Sequence, residues 1–306
     1  MRALLVANPG ATATTAGARD VLAHALASET ALEVRETKAR GHAVELARQA
    51  VADGVDVVVA LGGDGTVNEV VNGLLAAGPG PDVPALAVVP GGSTNVFARA
   101  LGLPNNAVEA TAVLLDALRA ERRRTIGLGM ADERWFTFNG GLGLDGQVVR
   151  RVEAKRAKGR RSTPGLFVRS ALREFFLDSD RRHPSLVLER EGAEPEQLGL
   201  ALVCNTAPWT YLGTRPVLPC PDASFETGLD VFGLSRLRTT TTLRHLRQIL
   251  STHPRLRGGR LRTLHDADAF VVSADRPVPL QLDGDHLGMR RRVVFRAVPD
   301  ALDVVV

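Results

Sequence analysis

The sequence predicts two domains: an α/β domain on a parallel sheet, then a largely antiparallel β domain beginning near residue 125. Three features carry that prediction. Apolar β-branched runs alternate with helix-compatible segments through the first 120 residues. The strand runs there are continuously apolar, as in strands buried on both faces. After about residue 124, short β-like runs take over.

In order, residues 3–7 read as a strand, 16–28 as a helix, 32–37 as a strand and 42–53 as a helix. The next strand is the clearest: Asp56, Val57, Val58, Val59, Ala60 and Leu61 feed into GGDGT and a helix from Thr66 to about residue 76. A strand over 85–89 and helices near 94–101 and 107–122 complete the βαβ pattern. Further on, short strands are expected over 135–139, 185–190, 198–205 and 229–234, interrupted by helices over 145–156, 164–177 and 240–250. The tail, 269–306, reads as strands broken by Pro277, Pro279, the Asp283-Gly284 turn and Pro299. The boundaries are therefore set at 1–124 for the α/β domain and 125–293 for the β domain, with 294–306 returning to the first.

Composition narrows the class. Apolar residues make up 44% and charged residues 24% of 306 residues, which suits folded domains with substantial cores. Only Lys38, Lys155 and Lys158 among the 38 basic residues are lysines. This arginine bias reads as a coding preference, so nucleic-acid binding is not inferred. Cys204 and Cys220 are the only cysteines, and without a CxxC pair they point to neither zinc nor a disulfide framework; a cytoplasmic setting fits. The apolar run before Asn8 is too short for the core of a signal peptide, and no 18-residue uncharged apolar stretch is present. Membrane contact is expected to be peripheral.

Chemistry concentrates in the loops that follow the strands. Gly62, Gly63 and Gly65 permit a tight turn with the backbone close to a ligand, and Thr66 opens a helix whose unpaired N–H groups and positive end attract an anion. Asp64 would repel a bare phosphate, so its presence points to an intervening Mg2+ or a ligand hydroxyl. The second loop, Pro90 to Asn95, also follows a strand and precedes a helix, and Ser93 or Thr94 can cap that helix or donate to a phosphate. Asn8 is by itself a turn former. Together with Thr37, these loops lie at the carboxyl ends of parallel strands, where such sheets bind ligands.

The segments GGDGTVNEVVNGL, PGGSTNVFARALGLP, the early Asn8-Pro9, FNGGLGLDGQVV and the late QLDGD resemble the diacylglycerol kinase catalytic family over nearly the whole chain. Sphingosine and ceramide kinases and bacterial soluble lipid kinases belong to that family. The resemblance implies a phosphofructokinase- and NAD-kinase-like parallel sheet with helices on both faces. It also implies a C-terminal β-sandwich, ATP and Mg2+ as cofactors, and a lipid hydroxyl as acceptor in the cleft between the domains.

Residue by residue, the resemblance matches Asn8, Pro9, Gly10, Ala11 and Thr12 to the first phosphate loop and Thr37 to a nucleotide-side threonine. It matches Gly62, Gly63, Asp64, Gly65, Thr66, Asn68 and Glu69 to the central loop, and Gly92, Ser93 and Thr94 to the last. The family's late DGE stands here as Asp283-Gly284-Asp285; Asp283 falls on the expected base, and which of the two carboxylates accepts the proton stays open. Where relatives carry a DDG segment holding a structural Mg2+, this chain retains Glu226 and Asp230 with one residue fewer between its landmarks.

The implied activity is ATP- and Mg-dependent phosphorylation of a lipid hydroxyl, in its simplest form diacylglycerol to phosphatidic acid. NAD kinase shares GGDGT but not the two longer motifs, and the altered metal segment and DGD variant suit a nucleotide-binding regulator without catalysis. Residues 150–161 place seven cations in 12, either a solvated face or a peripheral membrane contact, near Leu166, Phe167, Phe175 and Phe176, which suit core or interface. Asp145 reads as a helix N-cap or a wall of the acceptor pocket, and Trp209 and Tyr211 as an acyl-pocket lining or a cap on the β domain. A homodimer is compatible with the chain.

Overall fold

The computed structural model describes residues 1–11, 16–156 and 185–306. Two compact units emerge, residues 1–128 with 299–306, and residues 129–298.

The first unit begins β1 (Arg2–Ala7), α1 (Ala16–Ala27), β2 (Ala31–Glu36), α2 (His42–Ala52), β3 (Val57–Gly62), α3 (Asp64–Leu74) and β4 (Ala85–Pro90). α4 (Val96–Ala100), α5 (Ala107–Arg119) and the start of β5 (Arg123–Ala131) follow. β2, β1, β3 and β4 lie side by side in that order, every pair parallel. The last strand, β16 (Asp285–Val305), joins β4 in parallel at Val304 opposite Leu86. Every residue of β3 and β4 is buried, as continuously apolar strands require when both faces are covered.

Small residues set the helix packing. Ala43, Ala47 and Ala50 form the buried side of α2, and Gly73 of α3 lies against the Val44 carbonyl and the Ala47 methyl, where a Cβ would collide. Asn106 caps α5, its Oδ1 accepting the amides of Val108 at 2.9 Å and Glu109 at 3.2 Å.

The second unit comprises β6 (Arg134–Phe136), β7 (Asn139–Gly143), α6 (Leu144–Arg156), β8 (Leu186–Glu189), β9 (Glu196–Leu198), β10 (Leu200–Cys204) and the hairpin of β11 (Thr210–Leu212) with β12 (Arg215–Val217). It continues with β13 (Leu229–Leu234), α7 (Thr239–Ile249), β14 (Leu261–Ala267), β15 (Ala269–Leu282) and the first part of β16. The strands pair antiparallel in the order β14, β13, β10, β7, β15, β16, and form a sandwich-like unit. One cluster of buried side chains, centred on Phe136, Phe270 and Phe295, lies between strands of this unit; a second gathers Cys204, Phe232, Leu237 and Ile249.

The prolines do not break the tail as the sequence suggested. β15 runs through Pro277 and Pro279, accommodating them by register shifts between Ser273 and Val278 and between Pro279 and Gln281. β15 changes partner there: Val271 to Ala274 pair with β8, Leu280 to Leu282 with β7. β16 likewise continues past Pro299, the point where the chain passes from the second unit to the first. The helix expected over 164–177 lies outside the described residues, as do residues 157–161 of the basic run; residues 150–156 belong to α6. Among the described residues no helix is long and apolar enough to cross a membrane.

Candidate functional site

Four loops leave the carboxyl edge of the first unit's sheet: Asn8 to Ala11 after β1, Thr37 after β2, Gly63 after β3 and Gly91 to Asn95 after β4. The strand order 2-1-3-4 places the reversal of winding between β1 and β3, the position where open α/β sheets bind ligands. Asn8 bridges that point. Its Nδ2 donates to Thr66 Oγ1 at 3.0 Å, and its Oδ1 accepts the Gly10 amide at 2.9 Å. Asn8 thus both forms its own turn and ties two loops together.

The two glycine loops meet backbone to backbone. A Cβ on Gly92 would lie 2.7 Å from Gly63 Cα, and one on Gly63 would lie 3.2 Å from Gly92 Cα. The Gly91 amide also donates to the Gly62 carbonyl at 2.8 Å. Only main chain fits at this contact, and α3 starts immediately beyond it, at Asp64, two residues earlier than the sequence suggested. The opening of α3 carries the positive end of the helix dipole, the physical makings of an anion site, and the Thr66 amide there donates to the Gly63 carbonyl at 2.9 Å.

Asp64 plays a part the sequence did not reveal. Its Oδ1 accepts the Phe97 amide at 3.1 Å and so caps α4 from another loop. The residue expected to cap that helix, Ser93 or Thr94, does not; the N-cap position is Asn95, at φ 49°, with no cap bond of its own. Asn95 instead closes its loop, Oδ1 accepting from the Gly92 amide and Nδ2 donating to the Gly92 carbonyl, both at 2.9 Å. Ser93 is exposed and Thr94 half-buried at the same edge.

Two of the matched residues bond within the fold. Glu69 Oε1 accepts the Gly41 amide at 2.9 Å and Oε2 the Ala43 amide at 3.3 Å, so the carboxylate holds the start of α2. Asn68 is 2% exposed, and its Oδ1 accepts from Asn72 Nδ2 at 3.1 Å. Asn68 is therefore buried within α3, and the half-buried Glu69 carboxylate is engaged by the start of α2. Thr66 is buried, with its hydroxyl accepting from Asn8. Thr37 donates its amide to the Ala7 carbonyl at 2.9 Å and is half-buried; Pro9 and Gly10 are exposed, Ala11 is half-buried, and Thr12 lies outside the described residues.

In the second unit, Asp283 and Gly284 form a two-residue hairpin loop between β15 and β16, with φ of 49° and 82°, the geometry of an Asp-Gly turn. The Asp283 carboxylate is 5% exposed and accepts four hydrogen bonds: from the Thr137 amide at 2.7 Å, the Thr137 hydroxyl at 2.9 Å, and the amides of Phe138 and Asn139 at 3.0 and 3.1 Å. Such an environment anchors the turn on the strand below. Asp285, first in β16, is half-buried.

Gln281 was not singled out from the sequence, although a lone amide in the apolar run Val278 to Leu282 was a usable signal. It is 1% exposed. Its Nε2 donates to Asp145 Oδ2 at 2.7 Å and Asn139 Oδ1 at 3.0 Å, and its Oε1 accepts the Gly284 amide at 2.9 Å. Asn139 in turn donates from Nδ2 to the Trp209 carbonyl at 2.7 Å. Asp145 sits within the first turn of α6, so it is not the N-cap; burial pushes its carboxyl up to about 7, the Gln281 hydrogen bond opposing. Trp209 packs against the second unit's smaller core cluster.

Glu226 and Asp230 each bond protein donors. Asp230 is buried, and its Oδ1 accepts from His265 Nδ1 at 2.8 Å and from the Asp266 amide at 3.0 Å. Burial raises its carboxyl, against those two hydrogen bonds. Glu226 turns to Ser224, whose hydroxyl donates to Oε2 at 2.6 Å. Among the described residues, no group of three or more His, Cys, Asp or Glu side chains is placed to hold a metal ion.

A family model for the diacylglycerol kinase catalytic domain matches residues 2–131. The chain is 39% identical to a diacylglycerol kinase of Bacillus subtilis (strain 168) over 263 residues, covering 83% of this chain and 78% of that protein. A solved diacylglycerol kinase structure from Bacillus anthracis str. Sterne superposes with TM-score 0.73 at 19% identity, covering 99% of this chain and 96% of that one. An NAD kinase from Archaeoglobus fulgidus, solved in complex with ATP, superposes with TM-score 0.53 at 11% identity, covering 100% and 94%. The two structural likenesses concern the fold.

Proposed function

The chain belongs to the diacylglycerol kinase catalytic family, and on that premise we propose that it transfers the γ-phosphoryl group of ATP, with Mg2+, to the free hydroxyl of diacylglycerol. One observation carries the nucleotide half: the Gly63–Gly92 contact at the mouth of α3, where main chain alone fits. The residues suit a triphosphate. The positive end of α3 attracts phosphate oxygens, and Ser93 and Thr94 stand at the same sheet edge. Asp64 would hold Mg2+, since this ion is typically bound through one or two carboxylates plus substrate phosphates. When bound, Mg2+ neutralises charge building on the transferring phosphoryl.

An alcohol is a poor nucleophile at neutral pH, so the acceptor proton needs a base as attack proceeds. The hydroxyl oxygen bonds to the γ-phosphorus, the bridge to ADP breaks, and the proton leaves to a carboxylate. We assign that proton to Asp285, because the Asp283 carboxylate already accepts four hydrogen bonds from Thr137, Phe138 and Asn139. Asp283 and Gln281 act as positioning residues that hold the turn from which Asp285 departs.

Incubating the purified protein with labelled ATP, Mg2+ and either diacylglycerol vesicles or NAD tests the proposal. Label in phosphatidic acid is the expected result. Label on NAD alone overturns it, and thermal stabilisation by ATP with no labelled lipid in any extract makes the protein a regulator.

A further inference from the structure

Between Asp230 and Asp266 the chain carries eight arginines and no Asp or Glu. α7 lies in the middle of this stretch. Its inward side is ordinary core: His245 and Ile249 are buried, and the His245 ring meets Phe232 edge-on at 6.1 Å. Its outward side is not. Leu243 is 50% and Leu246 42% exposed, and Arg244 and Arg247 between and beside them are exposed as well. The chain after α7 folds back along it, Gln248 Nε2 donating to the Arg257 carbonyl at 3.4 Å and Gly258 lying against the Arg244 guanidinium. Arg255 and Arg257 in that return, and Arg236 and Arg238 just before the helix, are exposed too.

Among the described residues none of these six arginines pairs with a carboxylate, whereas Arg19, Arg119 and Arg262 all do. Exposed leucines at i and i+3 within an unneutralised positive face leave two costs standing: apolar area in water and mutual repulsion. A bilayer with anionic headgroups removes both, taking leucines into the headgroup–acyl boundary and guanidiniums onto lipid phosphates. A nucleic-acid backbone would answer the charge and leave the leucines in water.

We propose that α7 with its flanking arginines docks the protein on an anionic lipid bilayer, Leu243 and Leu246 entering the interface. The inference stands on α7 itself, independent of the phosphoryl-transfer reading.

Co-sedimentation of the full chain with vesicles tests it, using phosphatidylcholine alone or with about one-third phosphatidylglycerol. Binding only to the anionic vesicles, weakening as salt rises, is expected. The double variant Arg244→Gln/Arg247→Gln should weaken it about 25-fold, and Leu243→Ser/Leu246→Ser should weaken it at unchanged arginine content. Both pairs are exposed, and an unchanged melting temperature shows that each variant folds; the salt titration of the unaltered chain needs no variant. The proposal is overturned if the unaltered chain ignores anionic vesicles, if either double variant binds as well as it does, or if an oligonucleotide duplex competes the protein off the vesicles through the same arginines.

Discussion

Asp64 and Phe97 stand 33 residues apart, yet Asp64 Oδ1 accepts the Phe97 amide at 3.1 Å, so one carboxylate both opens α3 and caps α4. The bond fastens the two glycine loops into one edge. It also fixes the carboxylate proposed to hold Mg2+.

Asp64→Ala should therefore lower stability by about 1 kcal/mol, the usual worth of a lost cap, and raise the Mg-ATP requirement. Asp64→Asn keeps an acceptor for Phe97 but loses the charge, so it should melt near the unaltered protein while still needing more Mg-ATP. Melting curves and nucleotide titrations read the two effects separately; an unaltered nucleotide dependence in both variants removes Asp64 from the site.

Asp283→Ala leaves three amides and the Thr137 hydroxyl without their acceptor, and should cost on the order of 3–5 kcal/mol. Asp285→Asn should instead melt normally and lose at least about 100-fold in kcat. Chemical denaturation alongside steady-state kinetics distinguishes them. The opposite pattern, a stable but inactive Asp283→Asn and an active Asp285→Asn, returns the base to Asp283.

Asp145 gives a pH signature. Its folded carboxyl, near 7, lies above the ordinary 3.8, so the folded state holds the proton more tightly than the unfolded chain. The associated stability is fully present below about pH 4 and is lost as pH rises to about 7. Asp145→Asn, which still accepts from Gln281, should flatten that part of the stability profile and melt higher at pH 8, by at most about 4 kcal/mol. Identical slopes for both proteins between pH 4 and 7 would show that Asp145 is not the group responsible.

Both Asp230 oxygens are occupied by protein donors. With His265 and Asp266 donating to Asp230 and Ser224 donating to Glu226, the second unit is expected to need no ion for its stability. Chelator should leave the melting temperature of nucleotide-free protein unchanged, and His265→Ala should lower it. A chelator-induced drop restored by Mg2+ would reinstate a metal site in this segment.

The parallel sheet was legible because burial on both faces writes itself as unbroken apolar runs, as at Val57 to Leu61 and Ala85 to Val89, and because glycine at a strand's end is a backbone requirement visible in one dimension. The Asp-Gly turn at 283–284 was legible for the same reason, both residues occupying positive φ. Proline misled. Its missing N–H suggested breaks at 277, 279 and 299, but register shifts and changes of strand partner accommodated all three within two long strands. The lipid-kinase motifs pointed to loops at the sheet's carboxyl edge, and could not show that Glu69 and Asp64 also accept amides from α2 and α4.

Sequence alone determined the order of strands and helices, the glycine-rich turns at the sheet's carboxyl edge and the family, since these rest on neighbours in the chain and on backbone freedom. Tertiary structure decided what each carboxylate does. Glu69 caps a helix 26 residues back, Asp64 one 33 residues ahead, and Asp283 binds amides 144 to 146 residues away. A carboxylate's role depends on which donors surround it, and those donors arrive only when distant segments fold together.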